Sequence, residues 1–165
     1  MAVKWSVARR AQPSETEAIT VLINLAFQVE KFFIDGDRID TAAVRSMFDK
    51  GSFLVMDGEE GLAACVYVEL RGTRAYLGLL SVQPALQGRG LGARLVAAAE
   101  HYAREQDCAA MDLRVVDLRE GLPPFYRKLG YVQTGTSAFT PGTEAKLPCC
   151  FIEMSKTLIE SPNTR

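Results

Sequence analysis

The segment from Ser52 to Val82 constrains the fold more than any other part of this chain. Three runs rich in Val, Leu and Tyr, Ser52 to Met56, Gly61 to Leu70 and Arg74 to Val82, are separated only by Asp57-Gly58-Glu59-Glu60-Gly61 and Arg71-Gly72-Thr73. Connections this short turn the chain straight back on itself, so the runs are expected as three consecutive antiparallel strands. Pro84 cannot donate to a ladder and ends the third. Leu91, Leu95, Ala98, Ala99 and Tyr102 then recur at helical spacing, which predicts a long helix ending near Gln106.

The flanks extend this frame. Trp5 to Arg10 alternates as a first strand, and Ser14 stands three residues before Glu17 in the manner of a capping box. A stripe of Ile19, Leu22, Ala26 and Val29, widened by Val21 and Leu25, predicts a helix ending near Phe32 or Phe33. Ile34 to Asp40 is turn-rich, and Thr41 to Lys50 places Ala42, Val44, Met47 and Phe48 on a short second helix. Ala109 to Val116 alternates as a strand. Pro123 and Pro124 suit the first turn of a helix carrying Phe125 to Leu129, with Gly130 as its left-handed cap before a strand from Tyr131. Phe151 to Thr157 is the last strand expected. The order is β, α, α, β, β, β, α, β, α, β, β without linker or repeat, read as one domain over residues 1–158 and a flexible tail over 159–165.

Composition narrows the partners. With 165 residues, 48% of them hydrophobic, the chain can bury a sizeable core. Nineteen Lys and Arg against 20 Asp and Glu leave a net charge of -1, so no overall basic field supports binding to nucleic acid or to an anionic membrane. Cys65, Cys108, Cys149 and Cys150 form no C-x-x-C pair, and the lone His101 falls on the polar face of the long helix, so no metal site is expected. Without a leader-like apolar segment or a membrane-length apolar run, the chain reads as cytoplasmic with reduced thiols.

The chemistry concentrates where the third hairpin strand meets the long helix, in Leu79-Leu80-Ser81-Val82-Gln83-Pro84-Ala85-Leu86-Gln87-Gly88-Arg89-Gly90-Leu91-Gly92. Gly88, Gly90 and Gly92 remove Cβ atoms where a backbone could approach a ligand, and the first amides of a helix have no intrahelical acceptors. Those amides, the helix dipole and Arg89 together suit a pyrophosphate. The alternative is a turn that merely reverses the chain. The glycines do not follow Gly-x-Gly-x-x-Gly, and no Gly-Lys-Ser/Thr follows, so ATP binding through a P-loop ranks last.

Gln87-Gly88-Arg89-Gly90-Leu91-Gly92 resembles the Gln/Arg-x-x-Gly-x-Gly/Ala signature of the GNAT superfamily of acyl-CoA-dependent N-acyltransferases. Leu80-Ser81-Val82-Gln83-Pro84 resembles the strand preceding it, and Phe125-Tyr126-Arg127-Lys128-Leu129-Gly130-Tyr131 the family's Tyr-x-x-x-Gly-Phe/Tyr element. The resemblance implies an α+β, three-layer fold: a twisted mixed, mainly antiparallel sheet of six to seven strands with helices on both faces. Its fourth and fifth strands would splay so that the pantetheine arm of acetyl-CoA, the co-substrate, pairs with the backbone at Leu80, Ser81 and Val82. Gln87, Gly88, Arg89, Gly90, Leu91, Gly92 and Ala93 would surround the pyrophosphate, and no metal is implied.

By the same resemblance Tyr126 sits beside the thioester sulfur as general acid. A phenol of reference pKa near 10 can protonate a thiolate whose conjugate acid lies near 8.5. Read from the residues alone, without that motif, Tyr126 reads as a buried aromatic at a helix end. A backbone amide near Leu80 or Val82 would stabilise the oxyanion. Many relatives carry a carboxylate on the strand before the glycine turn, but here it reads Tyr76-Leu77-Gly78-Leu79-Leu80-Ser81-Val82. Glu69 on the adjoining strand is a weak candidate base, or a solvated side chain. Phe32 to Arg38, Tyr67, Tyr76 and Thr136 to Lys146 would flank the acceptor pocket, with Phe32 among the pocket residues. The expected activity is direct transfer of acetyl from acetyl-CoA to a primary amine of a small molecule or peptide within a ternary complex. The alternative is a non-catalytic module of the same fold that binds or senses an acyl-CoA. Exposed final strands of such a sheet could also pair in a homodimer.

Overall fold

Ser52–Gly58 (β2) and Gly61–Arg71 (β3) are almost continuously apolar because both faces of their sheet are covered. Phe53 and Val55 of β2 join Cys65 and Tyr67 of β3 against Ile19, Leu22 and Ile23 of α1 (Thr16–Ala26) and Val44 of α2 (Thr41–Lys50). The alternate residues, Leu54, Met56, Ala64, Val66 and Val68, pack on Leu91, Leu95, Val96 and Ala99 of α3 (Leu91–Glu105). The computed structural model describes residues 5–139 and 145–159.

The remaining strands are β1 (Arg9–Arg10), β4 (Arg74–Val82), β5 (Ala110–Val116), β6 (Val132–Ala138) and β7 (Cys150–Thr157), and α4 spans Leu122–Lys128. The seven strands lie in the order β1-β2-β3-β4-β5-β7-β6. Only β4 and β5, joined through α3, run parallel; the other pairs are antiparallel. This is the mixed, mainly antiparallel three-layer sheet expected, in the element order expected. The tail over 161–165 and the turn at Thr140 to Glu144 lie outside the described residues.

Three local expectations fail for stated reasons. The capping box lies two residues earlier than Ser14 and Glu17: the Glu15 carboxylate accepts the Gln12 N–H at 2.8 Å and also binds Arg9 at 2.6 Å, so a 3-10 turn over Pro13–Glu15 leads into α1. The first strand pairs as a ladder only at Arg9 and Arg10, although Ser6 and Ala11 still donate to the Asp57 and Phe53 carbonyls of β2. Helix α1 stops at Ala26, short of Phe32, and tightens into a 3-10 turn over Phe27–Glu30. Past the end of α1, Val29 and Phe32 lie toward solvent, 51% and 53% exposed, and Val21 also lies outside the buried face, which Ile23 occupies instead.

Candidate active site

The parallel ladder between β4 and β5 is three residues long. Arg74, Ala75 and Tyr76 pair with Ala110, Met111 and Asp112, and the Arg74 guanidinium closes this end with bonds of 2.8 and 2.6 Å to the Asp112 carboxylate. Beyond Tyr76 the strands part, while β5 stays paired with β7 from Ala110 to Val116. At the parting β4 carries a bulge: Leu79 and Leu80 together oppose Val66, because Cys65 pairs with Ser81 and Tyr67 with Gly78. Leu79 holds a left-handed φ of 55°, and the Ser81 hydroxyl braces the bulge by donating to the Leu79 carbonyl at 2.9 Å. After the bulge, Gln83 donates to the Ala63 carbonyl of β3 at 2.9 Å. Alternation along the strand therefore directs Ser81 to β3 and the backbone of Leu80 and Val82 toward the side that β5 has left.

The open edge runs into the glycine turn. Gly88 and Gly90 both hold φ of +80° with open space where a Cβ would sit, so the left-handed backbone, not lack of room, favours glycine there. At Gly92 a Cβ would meet the Phe125 ring at 3.4 Å and Leu80 at 3.7 Å, so this position packs the start of α3 against α4 and the bulge. The Gln87 N–H reaches the Pro84 carbonyl at 3.4 Å, and the first regular helix bond runs from Arg94 to Gly90 at 3.1 Å. Between them the N–H groups of Gly88, Arg89, Gly90, Leu91, Gly92 and Ala93 have no acceptor in the described chain, and the first turn of α3 carries no acid. A row of free donors at a helix N-terminus fits the diphosphate of a CoA thioester, and the apolar gap beside β4 fits its arm.

On the other side, a cleft of about 480 Å³ runs between the parted strands and under the α1–α2 connection. Its walls include Leu77 to Leu80 of β4, Leu113 to Val116 of β5, and Phe27, Ile39, Phe139 and Phe151. Tyr126 is buried, edge-on to Phe125 and Tyr131 at 4.9 and 5.7 Å, and burial pushes its phenol above the ordinary range, with the Arg119 charge a partial offset. Its hydroxyl makes no hydrogen bond within the described chain. Among the described residues no fully buried side-chain polar atom lacks a partner, so this hydroxyl keeps an opening to the cleft that Tyr126 lines. Tyr67 and Tyr76 also line the cleft, Tyr76 beneath the Arg71 guanidinium at 4.3 Å.

Glu69 lines the cleft but is engaged. Burial pushes its pKa up, yet the hydrogen bonds from Arg71 and Tyr67, the latter at 2.9 Å, and the Arg71 and Lys50 charges hold it below the usual carboxylate range. That makes it a poor proton acceptor. Phe32 does not line the cleft; it stands outside, edge-on to buried Phe33. The α1–α2 connection is latched by an Ile34–Ala145 bridge and a 2.7 Å Lys146–Asp35 ion pair. His101 is exposed and pairs with Glu105 at 2.5 Å.

Two features were not read in the sequence: the bulge at Leu79–Leu80, of which Gly78 inside a strand is a sign, and Glu30. Only 6% exposed, Glu30 lines the same cleft and accepts from Arg119 at 3.1 Å.

Comparison with known proteins decides the family. The acetyltransferase (GNAT) family matches in sequence over residues 18–131. The chain belongs to this family. As a GNAT acetyltransferase it falls in a group that transfers acetyl from acetyl-CoA. Its fold is also that of solved GNAT structures. The ribosomal-protein-S18-alanine N-acetyltransferase of Escherichia coli superposes with a TM-score of 0.75 at 14% identity over 98% of this chain and 99% of that one. Nourseothricin acetyltransferase gives 0.74 at 21% identity over 96% and 100%. The yncA protein of Salmonella typhimurium, solved with its cofactor acetyl-CoA, gives 0.72 at 18% identity over 94% and 95%. Among curated proteins, none matches the chain in sequence. No helix among the described residues is long and apolar enough to cross a membrane.

Proposed function

We propose that this GNAT protein moves the acetyl group of acetyl-CoA directly to a primary amine of a small molecule or peptide, with both substrates bound together. The observation that carries the reading is the junction of six acceptor-free amides with the gap where β4 parts from β5, opposite an open cleft. Gly88 to Ala93 hold the diphosphate, with Gln87 and Arg89 beside it, and the backbone of Leu80 and Val82 lines the arm. Amides at the bulge face the developing oxyanion, and Tyr126 protonates the departing sulfur. When bound, acetyl-CoA supplies an activated acyl carbon and a thiol leaving group. The named neighbours act on a protein alanine and on nourseothricin, so the fold does not choose between peptide and small-molecule acceptors. Four free cysteines agree with a reducing cytoplasm.

The test is thiol release from acetyl-CoA with a panel of primary amines. Tyr126→Phe should bind CoA with unchanged Kd and lose roughly 10² to 10⁴ in kcat. Unchanged turnover removes Tyr126 from the mechanism. CoA binding without thiol release from any amine would favour a non-catalytic module, and tight ATP binding without CoA competition would refute the diphosphate assignment.

A further inference from the structure

Glu30 ends the 3-10 turn after α1, on the face begun by Ile19, Ile23 and Ala26, where an apolar side chain would continue the core. One carboxylate oxygen, Oε2, accepts from Arg119 Nη1 at 3.1 Å. The other has no hydrogen-bond partner in the described chain, and because no fully buried polar side-chain atom among the described residues is left unpaired, Oε1 keeps contact with solvent, on a residue that lines the same cleft as Tyr126 and the bulge. Arg119 and Arg38 both stand over the ring of Phe27, at 5.9 and 5.5 Å. A buried carboxylate with one oxygen spoken for and one facing a reaction cleft is arranged for a cationic partner.

We propose that Glu30 receives the ammonium group of the acceptor in this cleft and takes a proton from it, the role that β4 leaves unfilled; this rests on the acetyl-transfer reading above. The acceptor class is a primary amine carried on an apolar body, matching the Phe27, Met47, Phe139 and Phe151 walls. The proton passes from the ammonium nitrogen to Glu30 Oε1. The freed lone pair bonds the acyl carbon, the carbon–sulfur bond breaks, and sulfur takes the Tyr126 phenol proton. The phenolate is restored by the second proton that nitrogen loses as it becomes an amide. Two further observations agree. Burial raises the Glu30 pKa, with the Arg119 bond and the Arg119 and Arg38 charges offsetting it only in part, so the carboxylate is a better base than Glu69. The nearby guanidiniums also disfavour a second positive charge, which weakens the ammonium's hold on its proton. Cys149, before β7, also lies within electrostatic reach of Glu30.

The experiment uses the full chain with acetyl-CoA and phenethylamine as probes, reading thiol release against pH and the carboxyl ¹³C resonances of side-chain-labelled glutamate. Glu30→Gln should keep the CoA Kd, lower kcat/KM on the order of 10²-fold, and move the rise of rate with pH toward the pKa of the free amine. Glu30→Asp should recover part of the rate and identify the resonance by its loss. In the unaltered protein that resonance should titrate above the usual carboxylate range and shift when phenethylamine is added. A Glu30→Gln rate and pH profile equal to the parent's, or a Glu30 resonance indifferent to the amine, overturns the proposal; the second criterion holds even if Glu30→Gln does not fold. If CoA binds, no amine releases thiol, and the resonance still answers the amine, the transfer reading falls while the amine site stands.

Discussion

Two glutamates in this molecule are almost equally buried, Glu100 on α3 at 5% exposure and Glu30 after α1 at 6%, yet their surroundings differ in one respect. Glu100 is saturated: Tyr131 donates to Oε2 at 2.9 Å, Lys156 to Oε1 at 2.8 Å, and Arg104 approaches to 3.9 Å. Glu30 has one donor and an oxygen left over. Burial alone therefore does not separate a structural charge from a working one; the count of satisfied lone pairs does. The backbone shows the same contrast. The Arg74–Tyr76 end of β4 is zipped and sealed, whereas its other end and the Gly88–Ala93 amides are left unspent.

If that contrast is right, altering saturated groups should change stability, and altering open ones should change binding or turnover. The largest effect is expected for Glu100→Ala, which strands Lys156 and the Tyr131 hydroxyl. It should cost about 3 to 5 kcal/mol, or roughly 6 to 20 °C in Tm by calorimetry, with CoA affinity kept in the folded fraction. A loss of turnover without loss of Tm would break the comparison. Gly90→Val forces a β-branched residue into a left-handed backbone and should raise the Kd for CoA by about tenfold or more, some 1.4 kcal/mol, by titration calorimetry. Equal affinity would mean those amides do not face the diphosphate.

Arg9→Ala removes a saturated but exposed network, so its cost should stay below about 1 kcal/mol. The bonds from Arg9 hold the Asp57 and Glu15 carboxyls below the usual range, though burial opposes this. Depressed carboxyls stabilise above their unfolded pKa, and that contribution is lost as pH falls through the folded values. The Arg9→Ala deficit in Tm should therefore shrink on acidification. The smallest change is expected for Glu30→Gln. A raised carboxyl pKa means the charged form costs stability as pH rises through it, so this variant should match or slightly exceed the parent in Tm at pH 8, and the difference should close in acid. A large Tm loss at pH 8 would place Glu30 with Glu100.

Much of this was legible in the chain. The hairpin signals at 57–61 and 71–73 prescribe the β2–β3–β4 meander, and the glycines at 88 and 90 do carry the positive φ that a donor-rich turn requires. The misses share a cause. Extending the first helical stripe through Val29 to Phe32 assumed an unbroken helix, but α1 ends at Ala26, and beyond it Glu30, not Val29 or Phe32, is the buried residue. The spacing of Ile19, Ile23, Ala26 and Glu30 does place a carboxylate on the buried face. The capping box is formed by Gln12 and Glu15, whose carboxylate also binds Arg9.

Local sequence determined which segments are strands and helices, their order, and the donor-rich turn, because periodicity, turn chemistry and helix-end amides act over a few residues. Where β4 leaves β5, how the bulge re-aims its amides, and which of several carboxylates keeps a free oxygen were decided only by tertiary structure. Those outcomes depend on pairings between residues far apart in the chain, such as Arg74 with Asp112 and Glu30 with Arg119. No window of sequence contains both partners.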